Sequence, residues 1–532
     1  MAENWSFGRV FSKVAAGVPA DAPALIHGDR VIRWGELEKR SNALAGAFIA
    51  AGAAPGDKIA HLMRNSPAYL ETTIAGFKSR LVHVNVNYRY TGEELHYILD
   101  NSDSAVVVFD AEFAEVLGGI RHRLPLVKLW VQVGGETADF AVDYEATAEG
   151  DATPPALDYQ PSDMMFIYTG GTTGMPKGVM WDQGDMWSIL TRGGVLLNAP
   201  PPETVDEWVE AVRATEPRTR ILVGPPLMHG TGFLSGMMAL ARGGAVITLT
   251  DRSFQPIEAL ETAKRWQPDT FVIVGDAFAR PLLRAVEESG DSAALASLRA
   301  MLSSGTMWSP EVKAGLLKHN PMMVLADAFS SSEALGMGTS FTTAADVGKP
   351  TRFIGDEDTL VLGEDMQPVA PGSGAIGKVA RGGLLPRGYY KDEEKTARTF
   401  ADIGGKRYCM AGDQATVEAD GSITLLGRGS HCINTGGEKV FPEEVEEALK
   451  THPLVEDALV FGVADEKWGQ AVTAVVEASG AEPGELIAYA RGQLAAYKCP
   501  KRVVIVAKVP RAPNGKADYA GAKALASELE PA

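Results

Sequence analysis

The densest set of groups able to handle an anion is Tyr168 to Gly178, which reads YTGGTTGMPKG. Gly170, Gly171, Gly174 and Gly178 let the backbone approach an anion closely and adopt positive φ. Thr169, Thr172 and Thr173 add hydroxyl donors, and Lys177 adds a mobile positive charge. Together these are parts for cradling phosphate. A P-loop of the G-x-x-x-x-G-K-[ST] kind is excluded, because Lys177 follows Pro176 and precedes Gly178. The plain alternative is a Gly/Thr-rich hairpin turn with one surface lysine. No G-x-S-x-G elbow occurs, so a serine hydrolase is disfavoured and His229 is not expected to serve a serine as base.

The stretch YTGGTTGMPKGV resembles the phosphate loop of the AMP-forming adenylating enzymes: acyl-CoA synthetases, luciferase-like ligases and adenylation domains of peptide synthetases. Gly170 stands where that family usually has Ser. Further stretches resemble the family in order along the chain. They are Arg64 to Asp100, PPLMHGTG from Pro225, DAFSSSE from Asp327, YCMAGD from Tyr408, LGR from Leu426, GGEKVFPEEVE from Gly436 and PRAPNGK from Pro510. In the family, a carboxylate attacks the α-phosphate of ATP, pyrophosphate leaves, and the acyl group passes to a thiol. Oriented donors and cations must offset the moving charge.

The resemblance implies roles for named residues. Lys177 and the threonines would meet the β and γ phosphates, and Glu333 would hold Mg2+. Ser332 would reach the α-phosphate. Asp413 would accept from two ribose hydroxyls, with Arg428 beside it. Phe329 would stack on adenine in place of the family's Tyr, with Asp327, Ala328 and Thr306 around the base. Lys516 would bridge the carboxylate and the α-phosphate, stabilising the transition state. Tyr519 stands where the family often has Arg. A rotation of the C-terminal part would then bring Gly436 and Gly437 to a thiol channel, hinged at Ser430. Cys432, after His431, has no base placed for it.

The acyl pocket is expected to involve His229, Gly232, Phe233 and Gly236, together with Ala334, Leu335, Gly336, Met337 and Gly338. This set is apolar and rich in small residues, without Lys, Arg or Asp. It favours a hydrophobic monocarboxylate, medium-to-long or bulky and ring-bearing, as in bacterial fatty-acyl and steroid-side-chain CoA ligases. The expected acceptor is coenzyme A. A carrier protein's phosphopantetheine acting in trans, a catalytically silent binding protein and an oxygen-dependent light emitter stay open.

The elements that must position these groups are short apolar runs alternating with amphipathic stretches. Strands are expected at Ala105 to Phe109, Leu126 to Val133, Met164 to Thr169, Ile221 to Gly224, Ala245 to Thr250, Thr270 to Val274 and Met322 to Ala326. Helices are expected at Pro256 to Trp266 and Pro310 to His319. This alternation predicts an α/β fold with mainly parallel sheets. The segment Asn198 to Arg220, which opens on prolines, reads as a surface excursion with one short helix. After Arg428 the helix Pro442 to Lys450 and further short strands predict a small α+β domain. The expected division is thus 1–428, carrying the ATP and acyl sites, and 429–532, a mobile lid carrying Lys516.

Composition bounds the rest. The chain has 532 residues, 45% of them hydrophobic and 22% charged, enough for a multi-domain globular protein. A net charge of -18 without a basic run argues against nucleic acid as a partner. Cys409, Cys432 and Cys499 are too widely spaced for a metal site or disulfide framework. The first residues show no signal-peptide pattern and no stretch is apolar enough to span a membrane, so a soluble, cytoplasmic enzyme is expected. A homodimer is compatible with this reading.

Overall fold

The computed structural model describes residues 3–90, 92–171, 174–192, 202–306, 308–428, 433–435, 438–465, 469–494, 496–513 and 515–529; of Arg428 and several other residues only the backbone is described. Two mainly parallel sheets dominate the N-terminal region. One has eight strands in the order Ala334–Thr342, Val324–Ser331, Ala300–Ser304, Thr270–Ile273, Arg220–Val223, Ala245–Thr248, Pro23–His27 and Arg30–Arg33. Its interior pairs are parallel and its two outermost pairs antiparallel. The other has five parallel strands, Val82–Asn85, Lys58–Leu62, Ser104–Asp110, Leu129–Val133 and Val142–Asp143. Continuous apolar runs such as AVVVF suit strands covered on both faces, and Ala105 to Phe109 is buried throughout.

The helices Pro256–Trp266, Pro310–His319 and Pro442–Lys450 form as the sequence predicts, each with proline in its first turn. The mainly parallel sheets expected of the N-terminal region are thus present, and an antiparallel one, not expected from the sequence, follows between Thr359 and Arg428. There a six-stranded sheet is antiparallel, built from short strands and glycine turns rather than crossover helices. The C-terminal domain is a five-stranded sheet with helices Pro442–Lys450, Pro483–Gln493 and Tyr519–Glu528.

Residues 198–201 of the proline-led segment lie outside the described residues; the rest carries the one short helix expected of it, largely exposed but packed into the core along one face. Its helix Val205–Ala214 buries Val205, Trp208, Val209 and Val212. A Cβ at Gly17 would lie 2.7 Å from Val209 Cγ1, so the helix Phe7–Gly17 lies close against it. Trp208 Nε1 donates to the Ala241 carbonyl at 2.7 Å and its ring packs 4.9 Å from Trp187. Apolar spacing within a charged stretch was the signal for this packing.

Helix Pro67–Lys78 is buried on every side, so its charges are paired. Glu71 accepts from Arg40 Nε at 2.6 Å, and Lys78 donates to Asn42 Oδ1 at 2.7 Å. Beside it lie His61 and His83, fully buried with ring centroids 4.8 Å apart. Burial pushes His61 down to about 3, and burial together with the neighbouring His61 also holds His83 well below the usual range. Between its folded value and the usual value near 6.5, the unfolded chain binds a proton on His61 that the native chain refuses. Stability is therefore full above that window and falls as pH drops through it. At pH 5 His61 alone costs about 2 kcal/mol. Asp110, raised to about 6 by burial, acts in the opposite sense. The expected outcome is that His61→Leu narrows the drop in melting temperature between about pH 7.5 and about pH 5. An unchanged drop would show that His61 does not stay neutral in the fold.

Candidate active site

In sheets of this kind ligands gather at the carboxyl ends of parallel strands. Four such ends meet here. Arg220–Val223 leads into PPLMHGTG, Thr270–Ile273 into the helix Gly275–Ser289, Ala300–Ser304 into Gly305 and Thr306, and Val324–Ser331 into Ser332 and Glu333. Thr231 Oγ1 donates to the Ser304 carbonyl at 3.4 Å, tying the first end to the third. Gly305 adopts φ +98°, and a Cβ there would stand 3.8 Å from Lys516 Cε and 3.9 Å from Thr231 Oγ1. Lys516 thus arrives from the C-terminal domain at the mouth of the large sheet.

His229 precedes the helix Gly230–Ala241 at its N-cap position. Burial and the nearby Lys516 charge push it down to about 3. Its Nε2 has no hydrogen-bond partner among the described residues. The ring is neutral at physiological pH and cannot supply a proton there as an imidazolium.

The phosphate stretch is geometrically a hairpin. Strands Met164–Gly171 and Gly174–Asp182 pair antiparallel, with Thr169 opposite Lys177. Lys177 Nζ pairs with Asp392, whose other oxygen accepts from Lys395 N at 2.9 Å and caps the helix Glu393–Thr399. Thr172 and Thr173 lie outside the described residues, as do Ser430, His431, Cys432, Gly436 and Gly437; of Gly170, Gly171 and Gly174 only the strand backbone is described.

Glu333 is half-buried, and Tyr389 Oη donates to its Oε1 at 2.8 Å. Burial and this carboxylate raise the Tyr389 pKa, keeping it a donor. The preceding Ser332 carbonyl accepts from Trp181 Nε1 at 2.8 Å. Asp413 and Arg428 stand directly opposite each other across an antiparallel pair of strands. Thr306 Oγ1 is buried without a described partner.

Seven expected site residues turn inward instead. Asp327 is 5% exposed, and its Oδ2 lies 2.6 Å from Lys313 Nζ. Its carboxylate is therefore committed to a buried ion pair rather than offered to an adenine amine. Phe329 is 8% exposed with its ring 5.6 Å from Phe353, so it is a core ring. On the same strand Ala328 is the exposed position. Gly232 faces backbone, since a Cβ there would lie 3.0 Å from the Pro225 carbonyl oxygen and 3.1 Å from that of Pro226. Phe233 packs edge-on against His83 at 4.4 Å. Ala334, Leu335 and Met337 are likewise core residues. Gly336 is exposed at φ +69°.

Sequence reasoning missed two asparagines. Asn65 Nδ2 donates to the Pro225 carbonyl at 3.0 Å and its Oδ1 accepts from Leu227 N at 2.7 Å. Asn85 Nδ2 donates to the Tyr168 and Met228 carbonyls at 2.9 and 2.8 Å, while its Oδ1 accepts from Tyr168 N at 2.7 Å. Both lie in the stretch from Arg64 to Asp100 that resembled the family, but nothing in their local pattern names their backbone partners.

Comparison with known proteins agrees with this arrangement. A family model described as AMP-binding enzyme matches residues 11–390, and one described as AMP-binding enzyme C-terminal domain matches residues 444–516. A 3-oxocholest-4-en-26-oate–CoA ligase of Rhodococcus rhodochrous is 42% identical, over 94% of this chain and 92% of that protein. A medium-chain acyl-CoA ligase of Mycobacterium avium is 38% identical, over 97% of each chain. The solved structure of an anthranilate CoA ligase with anthranoyl-AMP superposes with TM-score 0.83 at 21% identity, over 99% of each chain, a likeness of fold.

The glycine packing separates two roles within one helix. Gly232→Ala is expected to lower stability by about 1–3 kcal/mol, because the new methyl meets carbonyl oxygens that cannot retreat. Gly236→Ala is expected to be nearly neutral, since its Cβ would meet ordinary contacts at 3.8 Å. Thermal melts of the two variants check this, and equal losses would contradict the tight approach at Gly232.

Proposed function

The chain belongs to the AMP-binding enzyme family and is an acid–thiol ligase; from that premise we propose that it activates a hydrophobic carboxylic acid with ATP and transfers the acyl group to coenzyme A. The observation that carries this reading is the placement of Lys516 beside Gly305, Thr231 and His229, at the ends of the parallel strands. In the first half-reaction a carboxylate oxygen bonds to the α-phosphorus while the bond to pyrophosphate breaks. Lys516 offsets charge on the carboxylate and the α-phosphate as they approach. Lys177 exchanges Asp392 for the departing phosphates. In the second half-reaction a thiolate attacks the acyl carbon and AMP leaves, giving the thioester.

Asp413 and Arg428 hold the ribose in this reading, and Thr306 with the exposed Ala328 borders the base. Ser332 lies toward the α-phosphate, and Thr169 with the glycine turn toward the terminal phosphates. A single carboxylate at Glu333 suits Mg2+, which usually takes one or two carboxylates plus phosphate oxygens and water. Among the described residues no group of three His, Cys, Asp or Glu forms a cage. When bound, Mg2+ would neutralise charge on the phosphates. We place the junction at 428/429, with Ser430 as hinge and Gly436 and Gly437 along the thiol path.

The substrate class rests on the apolar character of the segment after His229 and on relatives named for steroid-side-chain and medium-chain acids. His229 and Gly336 are the exploratory positions of that pocket. No described helix is long and apolar enough to cross a membrane. A cytoplasmic location and a homodimer complete the proposal.

Pyrophosphate release across a panel of acids, with and without coenzyme A, tests the reading. The expected result is release that depends on one hydrophobic class and yields AMP plus acyl-CoA. Thioester formation only on a carrier protein would overturn the acceptor, and no release with any acid would overturn the activation. Lys516→Ala is expected to lower adenylation by at least about 100-fold, while thioester formation from ready-made acyl-adenylate is largely kept. Equal losses in both half-reactions would remove Lys516 from its role.

A further inference from the structure

The helix Gly275–Ser289 carries Asp276, Arg280 and Arg284 at intervals of four, which sets them on one face. That face meets the C-terminal domain. Lys450, 5% exposed at the end of helix Pro442–Lys450, lies 3.8 Å from Asp276 Oδ2 and 3.1 Å from Glu447 Oε1. Burial opposes its charge, but Glu447 and Asp276 outweigh that and raise its pKa, so it stays an ammonium. Two turns along, Arg284 pairs with Glu456. Arg280, between them, donates to Asp276 at 3.1 Å and to Glu311 at 3.0 Å.

The same helix start receives the Lys516 loop. Gly515 has φ +76°, and a Cβ there would lie 2.8 Å from Ala277 Cβ and 3.5 Å from the Val274 carbonyl oxygen. Arg511 holds that loop, donating to the Gly515 carbonyl at 3.0 Å and to Asp457 Oδ1 at 2.6 Å. Asp457 is the neighbour of Glu456. One short strand start therefore grips both the helix, through Glu456, and the loop, through Asp457. A cleft of about 470 Å³ lies beside the junction, lined by Glu311, Ala314, Val347, Glu447, Thr451 and Gln493. Among the described residues the ion pairs Lys450–Asp276 and Arg284–Glu456 and the packing of Gly515 on Ala277 join the two parts.

We propose that the charged face of helix Gly275–Ser289 is a docking rail for the C-terminal domain, and that Lys450 and Arg284 are positioning residues that seat Lys516 for acid activation. This rests on the activating reading given above. It assigns a task to residues that touch neither ATP nor the acid. It also confines their effect to one half-reaction, because the rail is used only when Lys516 is in the cleft.

The test compares Lys450→Met, Arg284→Glu and the swap Arg284→Glu with Glu456→Arg, in the full chain. Asp276 keeps Arg280 in the first variant, and Arg284 is half-exposed, so neither change is expected to prevent folding. The readouts are ATP–pyrophosphate exchange, thioester formation from synthetic acyl-adenylate, and deuterium uptake across residues 275–289. Both single changes should lower exchange by roughly 10- to 100-fold. They should leave thioester formation within about twofold and quicken deuterium uptake in the helix, with KM for ATP moving less than kcat. The swap should restore exchange and slow uptake again. Equal loss in both half-reactions, no loss in exchange, or a swap that restores nothing would overturn the proposal. A wild-type chain with no exchange on any acid would overturn the activating reading instead. The rail would then stand or fall on whether the swap restores slow deuterium uptake.

Discussion

The arrangement depends first on one side-chain amide. Asn85 ends a strand of the five-stranded sheet, yet it completes the hydrogen bonding of two other units: the first strand of the phosphate hairpin, at Tyr168, and the turn before His229, at Met228. Its carboxamide acts as a piece of backbone where no strand can run. An amide has both donors and acceptor in one plane, so no carboxylate or hydroxyl of similar size can replace it. Without it, three buried backbone groups would lose their partner, each at about 1–3 kcal/mol. Asn65 does the same for the Pro225–Leu227 backbone. The Met164–Asp182 hairpin and the turn before His229 therefore share a common frame before any ligand arrives.

The second constraint is electrostatic. In a chain with net charge -18, Lys177 and Lys313 are each held by a carboxylate. Lys177 sits on Asp392, whose carboxylate is itself fixed by capping a helix. The lysine is the part able to exchange, because its stem is long and its ammonium bonds without a fixed direction. Lys313 meets Asp327 beneath the strand that carries Ala328 and Phe329. Such a pair contributes little net stability, since desolvation offsets attraction, but losing either partner leaves a buried charge. The strand on which Ala328 is exposed is thereby anchored from below.

Elements whose order comes from local chemistry were legible in the sequence. The helices with proline at their start formed at the expected residues, and the apolar run Met164 to Thr169 formed a strand, whereas its antiparallel partner Gly174–Asp182 was not expected. What could not be read depends on which way a side chain turns. Phe329 and Asp327 lie in a motif that resembles a nucleotide-binding segment, yet strand alternation and the neighbours Phe353 and Lys313 turn them into the core. Gly232 looked like space in a pocket, and the carbonyls of Pro225 and Pro226 fill that space. The antiparallel sheet between Thr359 and Arg428 escaped because its strands are short and their burial does not alternate strictly. Asn85 and Asn65 escaped because a backbone partner leaves no mark on composition.

The charged face of helix Gly275–Ser289 belongs to the N-terminal chain, but its counterparts lie far along the sequence at Lys450, Glu456 and Gly515. That separation bears on how such proteins can recombine. A C-terminal segment grafted from a relative would dock well only where it carries charges that match this helix. The smallest interchangeable piece is therefore discontinuous: the terminal segment together with one face of one helix from the middle of the chain. Where those charges differ, lineages that exchange the first without the second would inherit an intact lysine on a domain that docks poorly.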